Sequence, residues 1–428
     1  MLINLRKLFS KPRNALVSTF LVGNAFIWYL CAFGFLQNAG GSGKFGGNSL
    51  LLTIGVNFLS LALSAFLSSK LTAKFNQKMV FLRYWALSGI FVSALFLLIN
   101  LSDFASILIV AGILGVYFGL GMPTCVSFYA ESTEQQNRAK LSGIIILFIG
   151  LGFPFLSSIV GSDNFFTASI LELWISLGII SLLTLKTVEN KFEQKSNVSY
   201  RSVLSNKTFL LYAVPWFMFS LVNDLTMQLN TNYFTSSRFP QFFAGNFMLV
   251  ENILAGVSAI VCGILADRKG RKRLALVGFT LLGLGYASLG LFGSNYFIAW
   301  FYVCVDGIAW GAFSMLFLFT IWGDIAQGKS SEKYYILGIL PYLLSNFTRL
   351  SIGTYISANI FESTVFSFAS FFLFVAVLPL ALAPEILSDK IMRNVDLNSY
   401  VKKALEKAQK EEGKNQKKQS YKIMQEIG

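Results

Sequence analysis

Apolar runs long enough to cross a membrane recur about twelve times along this 428-residue chain, and its cations collect in every second connection between them. A helix needs ~20 predominantly apolar residues to cross a ~30 Å hydrocarbon core. The runs 15–37, 49–69, 79–101, 105–129, 141–161, 165–186, 208–230, 243–265, 274–293, 296–321, 334–358 and 363–384 all read as such spans. With the N-terminus inside, alternate connections and the span ends that adjoin them carry all but three of the 35 Lys and Arg: Lys44 and Arg238 fall outside, and Arg349 falls well within a span. Cytoplasmic loops carry such an excess of Lys and Arg. The pattern therefore predicts both termini in the cytoplasm, and the opposite orientation would invert the bias.

Composition supports the same class. Apolar residues make up 54% of the chain and charged ones only 13%, about half the charge of a soluble domain. In lipid the backbone must satisfy its own hydrogen bonds, which leaves helices or a closed barrel. The runs are too long and too continuously apolar for barrel strands, so an all-α membrane protein is predicted. The net charge of +14 is spread over all the inner connections, where it sets orientation and meets anionic membrane lipids; no nucleic acid is expected. His is absent, and Cys31, Cys125, Cys262 and Cys304 each sit within a span. That pattern offers no metal site, disulfide framework or nucleophile constellation, so neither a cofactor nor an enzyme is expected. The basic start runs into a span too long for a cleaved signal.

A polar connection of mixed charge, from Lys186 to Lys207, divides the spans six and six. The expected organisation is an N-terminal six-helix bundle over 1–187, a cytoplasmic linker over 188–207, a C-terminal six-helix bundle over 208–385 and a basic tail over 386–428. In the tail, Leu397, Tyr400, Val401, Ala404, Leu405 and Ala408 recur at helical spacing between lysines. That spacing suits a helix lying on the inner lipid surface; a solvated tail is the plainer alternative. Two inner connections repeat between the halves. Gly263-Ile-Leu-Ala-Asp267-Arg268-Lys-Gly270-Arg271-Lys272-Arg273 follows span 8, and a diluted counterpart from Ser68 to Lys78 follows span 2. Likewise Glu131 to Arg138 follows span 4, in the slot that Asp324 to Lys333 fills after span 10.

The segment from Gly263 to Arg273 resembles the loop signature of the major facilitator superfamily. The resemblance covers about residues 10 to 385. It implies the fold of that family, twelve transmembrane helices in two six-helix bundles, and solute transport by alternating access. Physically, Gly263 permits close backbone approach and Gly270 the positive φ of a short reversal. Asp267 stands at the inner end of helix 8, where it can pair with Arg268 or Arg271 or meet a neighbouring helix N-terminus. The resemblance gives such a carboxylate the part of a latch that shuts the cytoplasmic side. Gly263, Asp267, Arg268, Gly270, Arg271, Arg273, Glu131 and Arg138 are thus the candidate gate, against the plainer reading that the cations only hold orientation.

Charges inside the spans mark the second candidate site. The first half carries none at depth, and Asn24 and Asn57 are its main polar groups; the second half carries Asp224, Glu251, Asp306 and Arg349. Such residues are costly in a membrane and usually face a cavity or a partner. Counting 1.5 Å per residue puts Asp306 ~15 Å from the outer boundary and the other three at ~9–14 Å. A shared ion cluster is one expectation, and three acids against one guanidinium leave a candidate proton carrier. Trp310 lies one turn from Asp306 and can line the same space; Asn24 pairs with Trp28 at similar spacing. The reading is a secondary active transporter in the plasma membrane that moves a small solute, with protons as coupling ion. A facilitative uniporter, and a transporter-like sensor or scaffold, remain as alternatives. The acidic excess favours a cationic or neutral solute, while Arg349 leaves room for an anion.

Overall fold

The computed structural model describes residues 12–72, 78–160, 164–184, 198–388, 391–393, 397 and 401. The surface-helix expectation for the tail, most of the 188–207 linker and the centre of the diluted loop after span 2 lie outside them.

The described chain is helical: α1 Pro12–Gly40, α2 Ser49–Thr72, α3 Lys78–Leu98, α4 Phe104–Ser132, α5 Gln135–Ile159 and α6 Asn164–Leu183 come first. A short α7, Tyr200–Leu204, precedes α8 Lys207–Phe234, α9 Gln241–Lys269, α10 Arg271–Phe292 and α11 Tyr296–Phe313. A π-helical stretch Ser314–Thr320 joins α11 to α12, Ile321–Ala326. Beyond it run α13 Glu332–Thr348, a second π-helical stretch Arg349–Gly353, α14 Thr354–Asn359 and α15 Glu362–Leu382. Among the described residues, 11 helices are long and apolar enough to cross a membrane. The expected span 334–358 appears instead as three pieces, α13, the π-helical stretch and α14.

Local chemistry explains where several rods begin. Asp103, Asn206 and Asn295 accept backbone N–H groups at the starts of α4, α8 and α11, satisfying donors that a helix leaves free. The rods stay apolar on their outward faces; Leu52, Leu59, Leu63 and Leu67 of α2 are all exposed. A helix apolar all round belongs in lipid.

The packing order repeats along the chain. In the first set α2 packs on α4, α3 on α6, and α1 against α4, α5 and α6. In the second, α9 packs on α11, α10 on α15, and α8 against α13 and α15. The sets meet mainly where α5 crosses α9 and α2 crosses α13. The α5–α9 crossing is close: a Cβ on Gly263 would lie 2.5 Å from the Ala139 carbonyl oxygen and 2.9 Å from Lys140 Cα.

Candidate gate, carboxyl pair and solute cavity

At the end of the molecule that bears the basic connections, charged side chains join the two helix sets. Arg138 of α5 pairs with Asp324 Oδ1 of α12, and Arg271 Nε donates to Asp324 Oδ2 at 3.0 Å. Arg271 Nη2 also pairs with Asp267 at 2.8 Å and donates to the Gln135 carbonyl at 2.6 Å. Asp267 in turn accepts the backbone N–H groups of Ala139 at 3.2 Å and Lys140 at 2.9 Å, in the second turn of α5. A carboxylate near a helix N-terminus complements its dipole. Arg138, Arg271, Asp267 and Asp324 are all buried, so their mutual pairing answers the cost of removing charge from water.

A second strap runs across the α2–α13 side. Lys78 Nζ pairs with Glu131 at 2.7 Å and with Glu332 of α13 at 3.2 Å. Beside it, the Ser127 and Ser331 hydroxyls lie 2.9 Å apart; on the α5 side the Thr320 and Ser142 hydroxyls share a hydrogen bond of 2.9 Å.

The structure thus gathers Asp267, Arg271, Arg138 and Glu131 at this junction. Gly270 has a φ of 102° and abuts the Glu385 carboxylate, which accepts the Arg271 and Lys272 N–H groups at the start of α10. Arg268 and Arg273 are exposed, and no hydrogen bond or ion pair draws them into the network among the described residues. Asp324, Lys78, Glu332 and Glu385 complete it. Asp324 and Glu332 fell in the slot repeating that of Glu131 to Arg138, and Lys78 at the end of the diluted loop, while Glu385 had no sequence signal.

The intramembrane charges separate into two places, not one cluster. Glu251 of α9 and Asp306 of α11 lie close enough for their charges to act on each other, with Tyr302 beside Asp306. Asn230 of α8 donates to Tyr302 at 2.9 Å, and Thr226 and Tyr286 share a hydrogen bond of 2.8 Å alongside. Asp306 is buried, and its Oδ1 has no hydrogen-bond partner among the described residues. Asp224 lies elsewhere, accepting the Ser345 hydroxyl at 2.5 Å. The Arg349 charge acts on Asp224, while its Nη1 lies 2.9 Å from Met227 Sδ. Trp310 donates to Asn223 at 2.8 Å and meets Tyr342 edge-on, so it does not turn toward the carboxyl pair. Asn24 is committed to α6, donating to the Trp174 carbonyl at 2.9 Å and accepting the Trp174 indole N–H on its own carbonyl at 3.1 Å.

A cavity of about 160 Å³ lies above the ionic network, at mid-length of the helices. Its walls come from α1, α2, α4, the first π-helical stretch and α13. Phe58 of α2 stacks on Phe347 of α13, ring centres 6.1 Å apart, on the side away from the network. Neither carboxyl of the buried pair lines it, nor does Arg349. Sequence reasoning had flagged only Asn57 among its walls, as a polar group in an otherwise apolar half.

The sequence profile described as Major Facilitator Superfamily matches residues 15–335. No curated protein sequence matches the chain. Among solved structures, the proton:xylose symporter XylE bound to 6-bromo-6-deoxy-D-glucose superposes with a TM-score of 0.65 at 13% identity, covering 87% of this chain and 96% of that one. The E. coli fucose:proton symporter FucP gives a TM-score of 0.65 at 11% identity, with 88% and 100% covered. The human organic anion transporter MFSD10 gives 0.63 at 14% identity, again with 88% and 100% covered. At these identities the likeness is one of fold.

Proposed function

Since this chain belongs to the major facilitator superfamily, we propose that it is a secondary active transporter that moves a small solute by alternating access and couples the movement to protons. Two six-helix bundles, 1–187 and 208–385, rock about the cavity; they are joined by the 188–207 linker, and the interrupted rod from Glu332 to Asn359 serves as one of the twelve spans. The basic connections and both termini, with the tail 386–428, face the cytoplasm of a plasma membrane, as the Lys and Arg distribution favours. One observation carries this reading: among the described residues the buried ion pairs lie at one end, directly beneath a cavity at the seam between the helix sets. A solute held there is barred from the basic end until those pairs part. The latch assigned to Asp267, Arg271, Arg138 and Glu131 is supported by the partners that the first three find across the seam and by the lysine that joins Glu131 to Glu332.

The Glu251–Asp306 pair is the proposed proton carrier. Two buried acids side by side cannot both ionise cheaply, so a proton shared between them is favoured. The pair lies within the second helix set and away from the cavity, so it acts on the solute through the packing of α9 and α11. Asp224 and Arg349 are assigned to steadying the second π-helical stretch against α8.

Asp306→Asn tests the coupling. The protein is reconstituted into vesicles containing the pH dye pyranine, and sugars, amines and aromatic compounds are added in turn under an imposed pH gradient. The native protein is expected to admit protons when its solute arrives, and the variant to lose that response while still exchanging solute. A full proton response from the variant would remove Asp306 from the mechanism.

A further inference from the structure

The walls of the cavity specify the class of solute. Resting on the transporter reading, we infer that the cavity receives an uncharged, compact, aromatic molecule of about one fused ring system, and not a sugar, an amine or a carboxylate. No Asp, Glu, Lys or Arg lines it. A charged solute would be buried there with no counter-ion, which is among the most costly arrangements in a protein interior.

The polar groups on the walls are already engaged. The Tyr29 hydroxyl donates to Asn57 Oδ1 at 2.5 Å, the Asn57 amide donates to the Ala111 carbonyl at 2.9 Å, and the Tyr335 hydroxyl donates to the Phe319 carbonyl at 2.7 Å. Tyr342, by contrast, has no hydrogen-bond partner for its hydroxyl among the described residues. A monosaccharide carries a ring of hydroxyl groups, each of which would give up water, and the cavity offers too few free partners to replace it. A solute with one N–H or O–H matches Tyr342.

Shape and size agree with this. Tyr29 and Phe118 stack with ring centres 3.9 Å apart and planes 15° from parallel, and Phe33 lies near parallel to Tyr29 at 5.7 Å. Stacked rings form a flat wall, and aromatic rings pair well in offset or edge-on contact with it. Apolar protein cavities of about 150 Å³ hold benzene in preference to water. At about 160 Å³ this cavity is of that size. Met122, one turn along α4 from Phe118 on the cavity wall, can adjust to a ring somewhat larger than benzene.

A matched series on the full-length protein in detergent tests the assignment. Tritiated indole is bound and then displaced by unlabelled indole, tryptamine, indole-3-acetate or D-xylose. Three of these share a ring and differ in charge, and the fourth carries only hydroxyls. Indole is expected to displace at least about tenfold more tightly than either charged relative, a difference of about 1.4 kcal/mol, with no displacement by xylose. Ala65→Trp, which fills the cavity from α2, is expected to abolish the bound indole. Equal or tighter displacement by tryptamine, indole-3-acetate or xylose overturns the assignment. So does indole binding that never saturates or that survives Ala65→Trp. In the pyranine vesicles, a proton response to a sugar or a charged solute and none to indole overturns the solute class and leaves the transporter standing. Saturable indole binding with no proton response to any solute does the reverse.

Discussion

Asp324 is the residue on which the closed end depends, because its two carboxylate oxygens serve two buried guanidinium groups, Arg138 and Arg271, from different helices. Asp324→Asn keeps the volume and leaves both cations short of charge. Breaking a buried pair from one side costs about 3–5 kcal/mol. Asp267→Asn removes less, since an amide oxygen still accepts one N–H at the start of α5 and Arg271 keeps Asp324; about 1 kcal/mol is expected. Thermal unfolding in detergent should therefore rank Asp324→Asn well below Asp267→Asn. Equal losses, or the reverse order, would place the weight of the closure on Asp267. The sequence made Asp267 legible because a Gly-Asp-Arg-Gly spacing is local. The role of Asp324 was not, because its partners are 186 and 53 residues away and only packing introduces them. The same holds for Asp306, whose neighbour proved to be another acid on α9 and not a solvent cavity.

Among the elements, the uninterrupted rods were readable from apolar length, and the two π-helical stretches were not. In the first, the Thr320 hydroxyl donates to the Met315 carbonyl and the Trp322 indole N–H to the Phe317 carbonyl, each five residues back. Those bonds suit a widened turn and occur at functional bends, yet an apolar run of the same composition forms an ordinary helix. The close crossing of α5 and α9 was half legible, since Gly263 announced an approach without naming the partner. Gly263→Leu drives a side chain into the backbone of Ala139 and Lys140, and overpacking of this kind costs about 1–3 kcal/mol. The cost falls on the closed arrangement, because the crossing brings the ends of α5 and α9 together. In a background freed of native cysteines, a thiol at Ser127, buried against Ser331, should then react faster with a water-soluble maleimide than in the Gly263 protein. An unchanged rate would mean that the crossing stays shut independently of this approach.

At the scale of the molecule, the repeat of helix pairings gives two equivalent seams, but the chemistry at them differs. On the α5–α9 side a carboxylate grips backbone N–H groups at a helix start, whereas on the α2–α13 side one lysine bridges two glutamates next to the cavity. The diluted loop after the second span foretold this inequality, since its Gly and Asp are missing. The two hydroxyls of Ser127 and Ser331, on α4 and just before α13, lie 2.9 Å apart across the α2–α13 side. Replacing both with cysteine, again without the native thiols, puts two sulfur atoms where oxidation can join the helix sets while the basic end is closed. Alternating access requires that end to open in each cycle, and a disulfide resists the separation that ion pairs permit. The oxidised protein is therefore expected to bind its solute and to lose exchange across the membrane, with exchange restored by a reducing agent. Binding should survive because the cross-link fixes the arrangement in which the cavity is formed. Full exchange by protein shown to be cross-linked would mean that the helix sets do not part at this end, and transport by rocking would have to be abandoned.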